Sequence, residues 1–200
     1  MLMLTLKYYY RTGLFLAPIL ILPIVMINIW KNIDISVLAP ILLQQYFYRM
    51  NENNYIGKTL VRITNFKISR LYKLLNISFL FWLNVWYIVG LVIMEFLQPL
   101  PFIDTFTKYV SFNSLIFFSF IIGNIIDNSD LLSIKNKIIQ LILSSFIFTT
   151  AIIFYIVLIK AISFFPFSLL ITVIILLLVI IVWYKIVNTY TTYKFFKYTI

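Results

Sequence analysis

Six carboxylates make up the whole acid–base inventory of this 200-residue chain: Asp34, Glu52, Glu95, Asp104, Asp127 and Asp130. Histidine and cysteine are both absent. Nucleophile–histidine relays, disulfides and soft metal sites therefore have no residues to build them, and the commonest haem axial ligand is missing. No two carboxylates are spaced to converge, so the pattern predicts no catalytic centre, cofactor or metal held by this chain. Gly57-Lys58-Thr59 looks like the end of a phosphate-binding loop. That loop needs glycine five residues before Gly57, where Glu52 stands, and it needs a preceding strand. If ATP drives this protein, another subunit binds it.

Cations are the second chemical resource. The stretch from Tyr55 to Leu75 carries Lys58, Arg62, Lys67, Arg70 and Lys73 with no acid among them. Leu60 and Ile63, then Ile68, Leu71 and Leu75, recur at helical spacing between those charges. Thr64-Asn65 disfavours a helix interior and divides the stretch into two short amphipathic turns. A basic amphipathic segment between membrane spans is expected to lie along the cytoplasmic or matrix face. It fits a solvated loop touching lipid, and equally a docking element for a partner seated against the membrane. Leu60, Arg62, Ile63, Lys67, Ile68, Arg70, Leu71 and Tyr72 are the candidate docking residues.

A third group is polar or aromatic within apolar runs. Gln44, Gln45, Asn84, Asn113 and Asn124 read first as partners in hydrogen bonds between helices. Trp82 and Trp86, four apart, form a helical stripe. Packing explains it simply; with Asn84 it also makes a candidate substrate-facing surface for a flat apolar ligand. Trp30 and Trp183 fall at expected span ends and read as interface anchors. Glu95 lies near the outer end of a span beside Gln98 and Pro99, which favours a solvated interfacial position. Arg11, Arg49, Arg62 and Arg70 all stand at or beyond inner span ends, which argues against a proton-translocating ATP synthase subunit.

The elements that position these groups follow from composition. The chain is 63% hydrophobic and only 11% charged, far from the charge content of a soluble domain. Length allows several spans and no additional soluble domain. We expect an all-α integral membrane protein forming a single transmembrane domain over residues 1–200. It has six transmembrane helices near 13–30, 34–48, 75–97, 109–126, 138–159 and 167–184. An amphipathic coupling segment, 55–74, joins helices two and three. Pro18 and Pro23 should kink the first helix. With six spans, thirteen cations fall on the side of the termini and the basic segment. Only Lys31, Lys108 and Lys160 fall on the other. That bias places both termini on the matrix or cytoplasmic side, and it accounts for the net charge of +10 without nucleic acid. Enrichment in Ile, Phe, Asn and Lys with only four Gly points to an AT-rich genome, as in many mitochondria and some bacteria. The expected location is the mitochondrial inner membrane, with a bacterial inner membrane as the alternative.

The layout resembles the ABC-2 type permeases, and within them the CcmB-type permease of the haem-related exporter used in cytochrome c maturation. Gly57-Lys-Thr59-Leu60 followed by Asn65 to Lys73 is similar to that family's Gly-Thr-Leu-Glu run and its basic segment. Phe81-Trp82 falls where the family often has tryptophan early in its third span. Ile122-Gly123 through Asn128-Ser129, Leu132 and Asn136 to Phe148 looks like its fourth-to-fifth span connection. The chain departs from the family in lacking acids around Gly-Thr-Leu, in an apparent insertion of Lys58, and in having no proline in the coupling segment. The resemblance implies a partner ABC ATPase docking on residues such as Arg62 to Tyr72. It also implies companion cytochrome-maturation membrane proteins, and assembly as a homodimer or heteromer within the bilayer.

Two other readings stay open. A generic ABC-2 exporter permease with another substrate shares the topology. A non-catalytic transmembrane subunit of a mitochondrial respiratory complex would share the composition, its basic segment binding anionic lipid or a neighbouring subunit. An ion-coupled transporter is less favoured, since charged midplane residues and inverted repeats are not evident.

Overall fold

The computed structural model describes Ile41, Leu43 and residues 68–97, 101–128, 137–165 and 167–199. The expected spans 13–30 and 34–48 lie outside these residues, except for Ile41 and Leu43; Leu43 is buried in the core. The described residues form four helices: α1 (Ile68–Leu97), α2 (Phe102–Asn128), α3 (Lys137–Ser163) and α4 (Ser168–Thr199). All four are long and apolar enough to cross a bilayer.

Local chemistry explains where they start and stop. The Pro101 carbonyl accepts hydrogen bonds from the Asp104 and Thr105 amides at 2.9 and 3.1 Å, which opens α2. Proline suits that place because it has no amide hydrogen to leave unpaired, and Asp104 in the first turn meets the positive end of the helix dipole. Lys160 sits in the last turn of α3, where a cation meets the negative end. The chain then reverses through Phe165, whose amide donates to Ile162 O at 3.0 Å, and α4 begins with Ile171 N bonded to Phe167 O at 3.1 Å.

Each outer helix buries a narrow stripe. On α1 it runs Asn76, Phe79, Leu83, Tyr87 and Gly90. On α3 it is Ser144, Phe148, Ile152 and Tyr155, and on α4 Thr172, Trp183 and Val187. Steps of three or four, and the step of eleven (about three turns) from Thr172 to Trp183, keep residues on one helical face. By contrast, α2 is enclosed: 72% of its apolar stretch is buried, against 33% in α1 and 22% in each of α3 and α4. It packs most extensively on α4, then on α3, and less on α1. Phe79 meets Phe120 edge-on at 6.3 Å, and Phe117 meets Trp183 at 5.3 Å. Each such aromatic pair is worth about 0.5–1.5 kcal/mol beyond burial.

Polar groups share the core with large apolar side chains, while the outer surface is apolar. Asn113, Ser114, Ser119 and Asn124 are buried on α2 beside Phe112, Ile116 and Phe120, and Ile142, Phe146, Phe154, Leu177, Leu178 and Ile181 are exposed. Polar residues bonded inside an apolar outer surface suit a lipid surrounding, which rewards close packing and internal hydrogen bonds.

Two boundaries differ from expectation. The coupling segment and third span were expected to meet near Leu75, yet α1 is continuous from Ile68. Leu71, Leu74 and Leu75 with Arg70 and Lys73 are good helix formers, and neither glycine nor proline stands between Asn65 and Leu75 to stop the helix. The fourth span was expected from Tyr109. Its helix starts at Phe102 because Pro101 and Asp104 supply the chemistry of a helix start, and Lys108 falls in the second turn, past the strongest part of the helix dipole.

Candidate functional site

Two layers of polar contact tie the bundle together around α2. In the first, Asn84 Nδ2 donates to Asn113 Oδ1 at 2.9 Å, linking α1 to α2. The same nitrogen donates to Leu80 O at 2.9 Å, and Asn113 Nδ2 donates to Tyr109 O at 3.0 Å. Both amides thus anchor on their own helix and then reach across. Asn84 Oδ1 is buried without a hydrogen-bond partner, so this layer retains one unused acceptor. Beside it, Tyr87 stacks on Phe112 with centroids 3.9 Å apart and planes 5° from parallel.

In the second layer, Ser114 Oγ and Tyr155 OH share a hydrogen bond between α2 and α3. The Tyr155 ring stacks on Phe118 at 4.2 Å and 9°. Ser119, Asn124 and Thr172 instead bond to carbonyls four residues back on their own helices, at 2.7 Å each. Such back-bonding satisfies part of the hydrogen-bonding capacity of a hydroxyl or amide inside a bundle.

Trp82, Asn84 and Trp86 do not make one surface. Asn84 lies on the edge of the α1 stripe that faces α2. With roughly 100° per residue, Trp82 and Trp86 fall on the opposite edge. Both tryptophans are half-buried, and Trp82 meets Phe81 edge-on at 6.0 Å. Asn84 and Asn113 join helices, as their placement within apolar runs predicted. Trp183 was expected at a membrane interface, but it is 5% exposed and packs on Phe117. The helix continues beyond it, so Trp183 lies inside the bundle.

Of the docking residues, Leu60, Arg62, Ile63 and Lys67 lie outside the described residues. Ile68, Arg70, Leu71 and Tyr72 form the first turns of α1. One turn further, Lys73 Nζ lies 3.5 Å from the centre of the Tyr184 ring on α4. This cation–π contact, on an exposed ring, joins the start of α1 to the later part of the antiparallel α4. Glu95 is exposed near the other end of α1.

Sequence reasoning did not single out the groups at that other end. A cleft of about 520 Å³ opens between the start of α2 and the end of α3, bordered by the start of α4. Lys108 and Lys160 line it with Asp104 and Ser111, above an apolar floor that includes Leu115 and Ile156. Lys108 and Lys160 were legible only as minority cations on the outer side. Their convergence comes from antiparallel α2 and α3, and each is remote from the other in sequence. Among the described residues there is no cluster of acids able to hold a metal ion. No family model matches the chain, and none of the curated proteins or solved structures compared with it matches.

Proposed function

We propose that this chain is the non-enzymatic membrane subunit of an ABC-2-like exporter. A CcmB-type role in cytochrome c maturation is the version its sequence resembles. One observation supports the reading above others: the last turns of the basic segment, from Ile68 to Leu74, and the membrane helix are one element. α1 runs from Ile68 to Leu97 without interruption. A force applied at Arg70 reaches Asn84 about 21 Å away along a rod of hydrogen-bonded turns. Asn84 is where α1 is bonded to α2, so movement of a docked ATPase would load the bond between the outer and central helices. Such packed interfaces switch between discrete arrangements and do not deform continuously. In this mechanism Leu60, Ile63, Ile68 and Leu71 fill a groove on the ATPase, and Lys67 and Arg70 meet its acidic rim.

The test replaces Ile68 and Leu71 with Asp in the full chain and purifies it from native membranes in mild detergent. Loss of a co-purifying ATPase, with membrane insertion intact, is the expected result. An ATPase that stays bound at the wild-type level would refute docking through these turns. Recovery of the wild-type chain with respiratory-chain subunits and no ATPase would replace the exporter reading with that of a respiratory-complex subunit.

A further inference from the structure

The cleft at the far end of the bundle has a composition that the exporter reading does not use. We propose that it holds an anionic phospholipid from the surrounding bilayer, with the phosphate between Lys108 and Lys160 and an acyl chain over Phe112, Leu115, Ile156 and Ile159. The proposal is independent of the docking segment, which lies at the opposite end of α1.

Both lysines fall within helical stretches apolar enough to span the bilayer. Each lies within about two turns of a helix end, Lys160 exposed and Lys108 half-buried, where a lysine carries its charge to the level of the lipid headgroups. Among the described residues neither lysine has an ion-pair partner. Asp104 lines the same cleft one turn before Lys108, and it offsets one of the two positive charges. The cleft keeps a net charge of +1, with the hydroxyl of Ser111 as an additional donor; that of Ser163 already donates to Lys160 O at 2.7 Å. Phosphate oxygens accept from both kinds of group, and charge-assisted bonds of this type are the stronger ones.

The walls distinguish a lipid from a soluble anion. Below the lysines the lining turns apolar with Phe112, Leu115, Ile156 and Ile159. At the mouth, Phe164 lines the cleft and is 89% exposed. Phe102, Phe165 and Phe167 are exposed at the same end of the bundle. Phenylalanine has no polar tip to place in water, so this aromatic fringe marks a mouth open to acyl chains. A polar head over an apolar floor, entered from the side, is shaped for an amphiphile already dissolved in the membrane.

The full chain is reconstituted in phosphatidylcholine nanodiscs containing a minor share of phosphatidylglycerol, then released and weighed by native mass spectrometry. The wild type should retain phosphatidylglycerol over phosphatidylcholine, and Lys108→Gln with Lys160→Gln should cut that retention about tenfold. Lys185→Gln, which removes an exposed cation at the other end, should leave it unchanged. Equal retention of both lipids by the wild type, or full retention by the double variant, would overturn the proposal. So would displacement by soluble glycerol phosphate, which would make the site one for a free anion. A photoactivatable phosphatidylglycerol on the wild type needs no variant to fold. Labelling should fall within 103–115 and 156–168, and labelling confined to other helices would also overturn it.

Discussion

α2 and α3 are each 27 residues long, and each is apolar enough to cross a membrane. Yet α2 is enclosed and α3 mostly faces outward. The enclosed helix is the less apolar of the two. It carries Asn113, Ser114, Ser119 and Asn124 inward, whereas α3 presents Ile138, Ile142, Phe146, Phe154 and Val157 to the exterior. In water the more apolar helix would claim the centre. In lipid an apolar side chain gains little by leaving the solvent, so the centre goes to the helix whose groups need partners or close packing.

That contrast can be broken most severely by cavity formation. Phe120 on α2 is 1% exposed and Phe154 on α3 is 71% exposed. Phe120→Ala should destabilise the bundle by about 3–5 kcal/mol, and Phe154→Ala by less than about 0.5 kcal/mol. Unfolding in mixed micelles by titrated denaturing detergent reads the difference. Equal losses would mean that α3 is covered by protein. A smaller effect should come from the bond between α1 and α2. A double-mutant cycle on Asn84→Ala and Asn113→Ala is expected to give a coupling of about 0.6–1.7 kcal/mol, the range for hydrogen bonds between membrane helices. A cycle returning zero would show that the two amides are interchangeable with apolar packing. Tyr155→Phe removes only the hydroxyl that meets Ser114 and keeps the stack on Phe118, so its cost should fall at the lower end, about 0.6 kcal/mol. A loss several times larger would identify the Ser114–Tyr155 bond as a support for the neighbouring stack.

What could be read beforehand divides along physical lines. The helices after Leu75 were legible because mostly apolar stretches of about eighteen residues or more leave few alternatives. The Asn84–Asn113 pairing was legible in kind, since an amide in a span must find a partner, but not in partner, which depends on relative rotation. Helix ends were harder. Charged residues at Asp104 and Lys108 look like a loop to a hydropathy argument, although Pro101 and Asp104 together are helix-start chemistry. Trp183 looked like an anchor because the following residues turn polar, and the continuation of α4 through them was not visible in composition. The paired lysines of the cleft were least visible. Lys108 and Lys160 come together only when two antiparallel helices are aligned, and no local pattern encodes that alignment.

The preference of α2 for α4 bears on how the protein is made. α4 is the last of the described helices to leave the ribosome, and it is the main covering of α2. Between completion of α2 at Asn128 and completion of the packed part of α4 at Asn188, translation takes roughly 3–12 s. Throughout that interval the most polar of the four helices waits beside the insertion machinery with its largest interface uncovered. Closing of the four described helices around α2 therefore waits for α4.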